Sequence, residues 1–97
     1  MAEIVWTEEA ERWLRDIHDY IASENPVAAT SVIAGIFEKS QVLSRFPKIG
    51  HKYRDEPEGE IRILYGHYRI AYLLRPSQAI DVLGVFHGAL DISRYFP

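Results

Sequence analysis

The sequence predicts an α+β domain in which a two-helix hairpin packs on one face of an antiparallel sheet. Three observations carry this reading. The first half of the chain holds two stretches with apolar residues at helical spacing, separated by a restart at Asn25-Pro26. The last third holds two strand-like runs joined by Gly66-His67, then a third run, Ile80 to His87. Helices first and consecutive hairpin strands afterwards favour segregated layers over alternating βαβ units.

Taken in order, Glu3 to Trp6 is a short strand candidate. Thr7 suits a helix N-cap, because its hydroxyl can accept from an orphan amide, and Glu8 and Glu9 suit the positive end of the helix dipole. Ala10, Trp13, Leu14, Ile17, Tyr20 and Ile21 then form one apolar stripe. Asn25 caps the second helix, and Pro26 occupies its first position, where the missing N–H costs nothing. Ala29, Val32, Ile33, Ile36, Phe37, Leu43 and Phe46 follow before Pro47 stops the helix. The pair reads as an antiparallel αα-hairpin. Pro47 to Gly50 is a turn, and the polar stretch to Glu60 reads as a surface loop.

The strand hairpin runs Ile61 to Tyr65 and Tyr68 to Leu74. Gly66 leading a two-residue loop fits a type II′ turn, which would pair Tyr65 with Tyr68, Leu64 with Arg69 and Arg62 with Ala71. In that register Arg62 and Arg69 share a face as diagonal neighbours, roughly 7–8 Å apart. Ile61, Ile63, Tyr65, Tyr68, Ile70, Tyr72 and Leu74 line the opposite, core face. Ile80 to His87 is too apolar for an exposed edge and belongs inside the sheet. The expected sheet is a short N-terminal strand plus a three-strand meander, its cationic face open unless a partner or the C-terminus covers it.

Composition bounds the function. The chain has 97 residues and a net charge of −3, which fits one domain spanning residues 1–97 and argues against a general nucleic-acid binder. Cysteine is absent, which excludes disulfides and thiolate chemistry. No run is apolar over the roughly 18–20 residues that span a bilayer, and Met1 to Ile4 carry no secretory n-region, so a cytoplasmic location is expected. His18, His51, His67 and His87 lack metal-ligand spacing, and no phosphate-binding loop is present, so no metal or cofactor is expected.

One constellation could carry chemistry. Metal-free RNA cleavage needs a base, an acid and cations for the developing phosphorane. His87 could be the base, Arg62 and Arg69 the phosphate clamp, and Tyr68 or Tyr95 the proton donor. Each has a plainer reading. His87 can cap a strand end, Arg69 can pair with Asp91 or Glu60, and Arg62 can face a partner or solvent. His51 to Arg54 could approach nucleic acid with Tyr53 stacking, but the acids from Asp55 to Glu60 favour a solvated mixed loop. Trp6, Trp13 and Phe37 read as core.

The ordered set of the Ala10 helix, Asn25-Pro26-Val27-Ala28-Ala29, Phe46-Pro47-Lys48-Ile49-Gly50, Ile61-Arg62, Tyr68-Arg69-Ile70-Ala71-Tyr72 and Val85-Phe86-His87-Gly88 resembles the RelE/ParE toxin superfamily of type II toxin–antitoxin systems. The resemblance covers essentially the whole chain and is closer to the ParE, or plasmid-stabilisation, branch. It implies a growth-inhibiting toxin with no cofactor, neutralised by a small cognate antitoxin in a hetero-oligomer, with DNA gyrase as target. Arg62, Arg69, His87 and Asp91 are the implied target- or antitoxin-binding residues. The alternatives are a RelE-like, ribosome-dependent mRNA endoribonuclease using Arg62, Arg69, His87 and Tyr95, or an inactive member kept as a binding module. Many members carry His-Gly-Arg-Arg-Asp after the last strand. Here His87-Gly88-Ala89-Leu90-Asp91 stands instead, which weakens the nuclease alternative. The antitoxin is expected to dock apolar residues between the helices and the sheet edge.

Overall fold

A computed structural model describes residues 2–88 and 93. Strand β1 (Ile4–Trp6) leads into helix α1 (Glu8–Ala22), and helix α2 (Pro26–Ser40) continues into a 3₁₀ turn at Gln41–Ser44. Strands β2 (His51–Glu56), β3 (Gly59–Leu64), β4 (Tyr68–Leu74) and β5 (Ile80–His87) follow. They form one five-stranded sheet in the order β1-β5-β4-β3-β2. The α+β class and the helical hairpin stand as expected.

Local chemistry sets the helix boundaries. Thr7 Oγ1 accepts from Ala10 N at 3.1 Å and donates to Val82 O at 2.7 Å, so one hydroxyl both starts α1 and ties it to β5. Asn25 Oδ1 accepts from Ala28 N at 3.1 Å, and Pro26 opens α2. Asn25→Ala should therefore destabilise the chain by about 1 kcal/mol, read as a lower urea midpoint at unchanged m.

The sheet departs from expectation in three ways. First, β1 pairs parallel to β5, with Ile4 opposite Ile80, so the sheet is mixed. β5 lies between β1 and β4, which accounts for its nearly unbroken apolar run. Second, the stretch expected as a loop contains a strand, making the meander four-stranded. β2 is an edge strand of polar and charged residues, and its ladder with β3 is irregular between Lys52 and Arg54. Its charges pair locally, Lys52 with Asp55 and Arg54 with Glu56, both at 2.7 Å. Such an edge discourages strand addition, and its lack of an apolar face is why it reads as a loop.

Third, the β3–β4 register is shifted by one. Leu64 pairs with Ile70, Ile63 with Ala71 and Arg62 with Tyr72. Gly66 does not take the positive φ that a type II′ turn requires. The connection is wider, held by Lys39 Nζ donating to Tyr65 O at 3.0 Å and Gly88 N donating to His67 O at 3.2 Å. A one-residue slip exchanges the faces of one strand relative to the other. The apolar residues therefore divide between both faces. Leu64, Ile70, Tyr72 and Leu74 join Ile36, Leu43, Ile80, Val82 and Val85 beneath the helices. Ile61, Ile63, Ala71, Leu73 and Phe86 form a second cluster on the other face. Trp13 meets Phe86 edge-on at 4.5 Å. None of those five is more than 7% exposed, so the second face is core rather than an open cationic surface.

Candidate functional site

Arg62 and Arg69 do not share a face. Arg62 pairs with Tyr72 on the helix-bearing side, whereas Arg69 pairs with Phe86 on the other. The expectation of two neighbouring cations fails because it rested on the two-residue turn.

Arg62 is instead the centre of a backbone clamp. Its Nε donates to Gly50 O at 3.0 Å, and Nη2 donates to Gly50 O at 2.6 Å and Lys48 O at 3.0 Å. Its Nη1 donates to Glu60 Oε1 at 2.7 Å, and the Arg62 side chain is only 13% exposed. Tyr72, opposite it, adds two bonds: its hydroxyl donates to Pro47 O at 2.7 Å and accepts from Gly50 N at 3.1 Å. The segment from Pro47 to Gly50 is thus held at three carbonyls and one amide. Position 50 needs glycine, since a Cβ there would stand 2.6 Å from the Tyr72 hydroxyl and 2.9 Å from Ile63 O.

Burial raises the Tyr72 pKa above its ordinary 10.0, opposed by the Gly50 amide and the Arg62 charge. The folded state therefore favours the neutral phenol. Its contribution is fully present below pH 10 and is lost as pH rises through the elevated value. Alkaline unfolding should steepen above pH 10, and Tyr72→Phe should remove that component.

Arg69 lies over the ring of Tyr65, with Cζ at 4.9 Å from its centroid. Glu60, one acid considered for it, binds Arg62 instead. Asp91 and Tyr95 lie outside the described residues. His87 ends β5 exposed, opposite Tyr68. Its ring stands edge-on to His67 at 5.3 Å and to Tyr68 at 5.7 Å, and His67 meets Tyr68 at 5.1 Å. Arg62 aligns with Tyr72 and His87 with Tyr68, four residues apart on β4, which is about 13 Å of strand at ~3.3 Å per residue. The three candidate residues therefore occupy three separate places, and among the described residues no base sits beside a phosphate clamp.

Tyr68 marks a different kind of site. It lies between two apolar clefts, each opening between a helix and the sheet. One, of about 230 Å³, is lined by Asp16, Ile17, Tyr20, Ile21, Tyr68 and His87. The other, of about 250 Å³, is lined by α2 residues Val32, Gly35, Ile36 and Lys39 with His67, Tyr68 and Ile70. Gly35 is the signal that sequence reasoning passed over. A glycine inside a helix costs about 1 kcal/mol relative to alanine, yet a Cβ at Gly35 would meet nothing within 4 Å. Nothing among the described residues requires it. His51 to Arg54, weighed as a nucleic-acid loop, is the edge strand with its own ion pairs. Trp6 stacks with Phe37 at 6.0 Å, but Phe37 is exposed rather than core. Among the described residues no cluster of three or more potential metal ligands occurs, and no helix is long and apolar enough to cross a membrane.

Comparison with known proteins agrees with this architecture. The Sinorhizobium fredii protein named "Putative toxin Y4kP" is 33% identical over 84 residues, spanning 87% of this chain and 85% of that one. A solved structure, the chromosomal ParDE TA system from P. aeruginosa, superposes with a TM-score of 0.70 at 20% identity, covering 90% of this chain and 96% of that one. At that identity the likeness shows the fold. A family model described as ParE toxin of type II toxin-antitoxin system, parDE, matches residues 4–92. The chain belongs to the ParE toxin family of type II toxin–antitoxin systems.

Proposed function

We propose that this chain arrests growth by binding a protein target, DNA gyrase, and that a cognate antitoxin neutralises it by occupying the clefts beside Tyr68. The observation that carries the first half is the dispersal of the candidate catalytic groups. Arg62 is spent on the Lys48–Gly50 backbone, Arg69 faces away from His87, and among the described residues neither guanidinium joins the His67–Tyr68–His87 cluster in the clamp geometry that phosphoryl cleavage needs. The antitoxin half rests on the two clefts and on Gly35. An apolar side chain fits each cleft, and Lys39 at the rim suits a carboxylate beside it. His87 lines the α1 cleft and is assigned to that contact, with Arg69 assigned to partner contact on the other face.

The test uses His87→Ala with folding verified, expressed under induction, with plasmid supercoiling and transcript integrity followed in parallel. The proposal expects arrest to persist with intact transcripts and altered supercoiling. The endoribonuclease alternative asks proton transfer of His87, and removing a true general base or acid typically lowers the rate about 10²–10⁴-fold. Loss of arrest together with loss of transcript cleavage would establish that alternative instead.

A further inference from the structure

We infer that the loop from Phe46 to Ile49 is a preformed docking surface for the toxin's protein target, and that the target surface presents carboxylates around an apolar side chain. This rests on the toxin reading above and assigns it a surface. Phe46 and Ile49 are 58% and 50% exposed, although both are large and apolar. They flank a depression of about 400 Å³ completed by Pro47, Lys48 and Gln78. Two features set this patch apart from scattered surface hydrophobics.

The first is rigidity. Exposed apolar residues on a loop usually lose side-chain freedom when a partner binds, besides any ordering of the loop itself. Here Arg62 and Tyr72 fix the loop backbone at Pro47, Lys48 and Gly50 before any partner arrives. A nearly buried guanidinium is devoted to the shape of one loop. The second is Gln78, the opposite wall, which holds φ at 75°, a region that favours glycine. Its N–H donates to Arg75 O at 2.9 Å, closing the β4–β5 turn. Gln78 thus lines the depression while holding a backbone conformation that is strained for a residue other than glycine.

Charge selects the occupant. Arg45 and Lys48 border the patch, both exposed, and among the described residues neither has a carboxylate within 4.0 Å. A second copy placed on the patch about a two-fold axis would oppose these cations to each other. The antitoxin clefts lie at the Tyr68 end of β4, whereas this loop lies at the Leu74 end. An acidic target surface with an apolar anchor satisfies both the cations and the depression.

The experiment compares wild type, Phe46→Ser/Ile49→Ser and Arg45→Glu/Lys48→Glu. Each is expressed for growth arrest, co-purified with its antitoxin for thermal melting, and then freed of antitoxin for antitoxin titration and binding to purified DNA gyrase. Both double variants should melt near wild type and bind antitoxin within about twofold, while arrest and gyrase binding fall at least about tenfold. The charge variant alters only exposed side chains, so it decides the matter if the apolar variant fails to fold. Wild-type arrest matched by both variants would overturn the docking surface and leave the toxin reading intact. Loss of antitoxin binding in place of arrest would hand the surface to the antitoxin and overturn the inference. A wild-type chain that arrests nothing would remove the toxin reading, and this inference with it.

Discussion

Arg62→Ala is expected to destabilise the folded chain by about 3 kcal/mol, with any loss of toxicity following from that. The substitution strips the carbonyls of Gly50 and Lys48 of donors and leaves the Glu60 carboxylate without its cation. An unsatisfied buried group costs about 1–3 kcal/mol, and a fully buried charge deprived of its partner costs about 3–5 kcal/mol. Glu60 is 30% exposed and the Lys48 carbonyl is within reach of water, so solvent recovers part of both penalties and the total falls below their simple sum, to about 3 kcal/mol. For a domain of this size, each kcal/mol moves Tm by about 4–8 °C, giving a drop of roughly 12–24 °C. Arg62→Lys should fall between, because one ammonium cannot span two carbonyls and a carboxylate in the geometry of a planar guanidinium. Thermal and urea unfolding of the purified chain measure both. A solvent-facing, ligand-binding arginine would shift stability by no more than about 0.5 kcal/mol, so an unchanged melting temperature would refute the clamp.

Much of the fold could be read from residues whose chemistry is local. Thr7 and Asn25 announce their helices because capping needs only a side chain and the next three residues. The apolar run from Ile80 to His87 announces a strand inside the sheet because burial on both faces leaves no polar alternation. What sequence could not provide depends on contacts distant along the chain. Gly66-His67 carries the signature of a tight turn, but Lys39, from the end of α2, reaches Tyr65 O and accompanies a wider one. That single displacement of register carries Arg69 away from Arg62 and turns an expected cationic face into core. β2 escaped notice for a different reason: a charged edge strand lacks the apolar alternation by which strands are recognised. The candidate site inherited these errors. Arg62 was legible as important, yet its role depends on three backbone atoms near Pro47, which no side-chain pattern reveals. The clefts beside Tyr68 are formed by elements far apart in sequence, and only Gly35 leaves a trace of them.

Gly35→Leu should separate stability from neutralisation by moving them in opposite directions. The position is exposed within α2 and its Cβ would meet nothing within 4 Å, so the folded chain accepts a side chain there without strain. Leucine is among the better helix formers and glycine the poorest apart from proline, a difference of somewhat under 1 kcal/mol. The free chain should therefore melt a few degrees higher than wild type. The same side chain, however, projects where Val32, Ile36, Lys39 and Tyr68 leave a cleft of about 250 Å³. A partner that uses that space must then withdraw its own side chain or deform, and overpacking costs about 1–3 kcal/mol. This corresponds to a roughly 5- to 150-fold weaker antitoxin complex. In cells, arrest by Gly35→Leu should persist at antitoxin levels that silence wild type. Gly35→Ala provides the graded control, since a methyl group takes the helix gain but little of the cleft. It should raise the melting temperature while leaving neutralisation close to normal. Titration of all three chains with the antitoxin, alongside their melting curves, makes the comparison. Equal antitoxin affinity for leucine and glycine at position 35 would place the antitoxin elsewhere on the toxin.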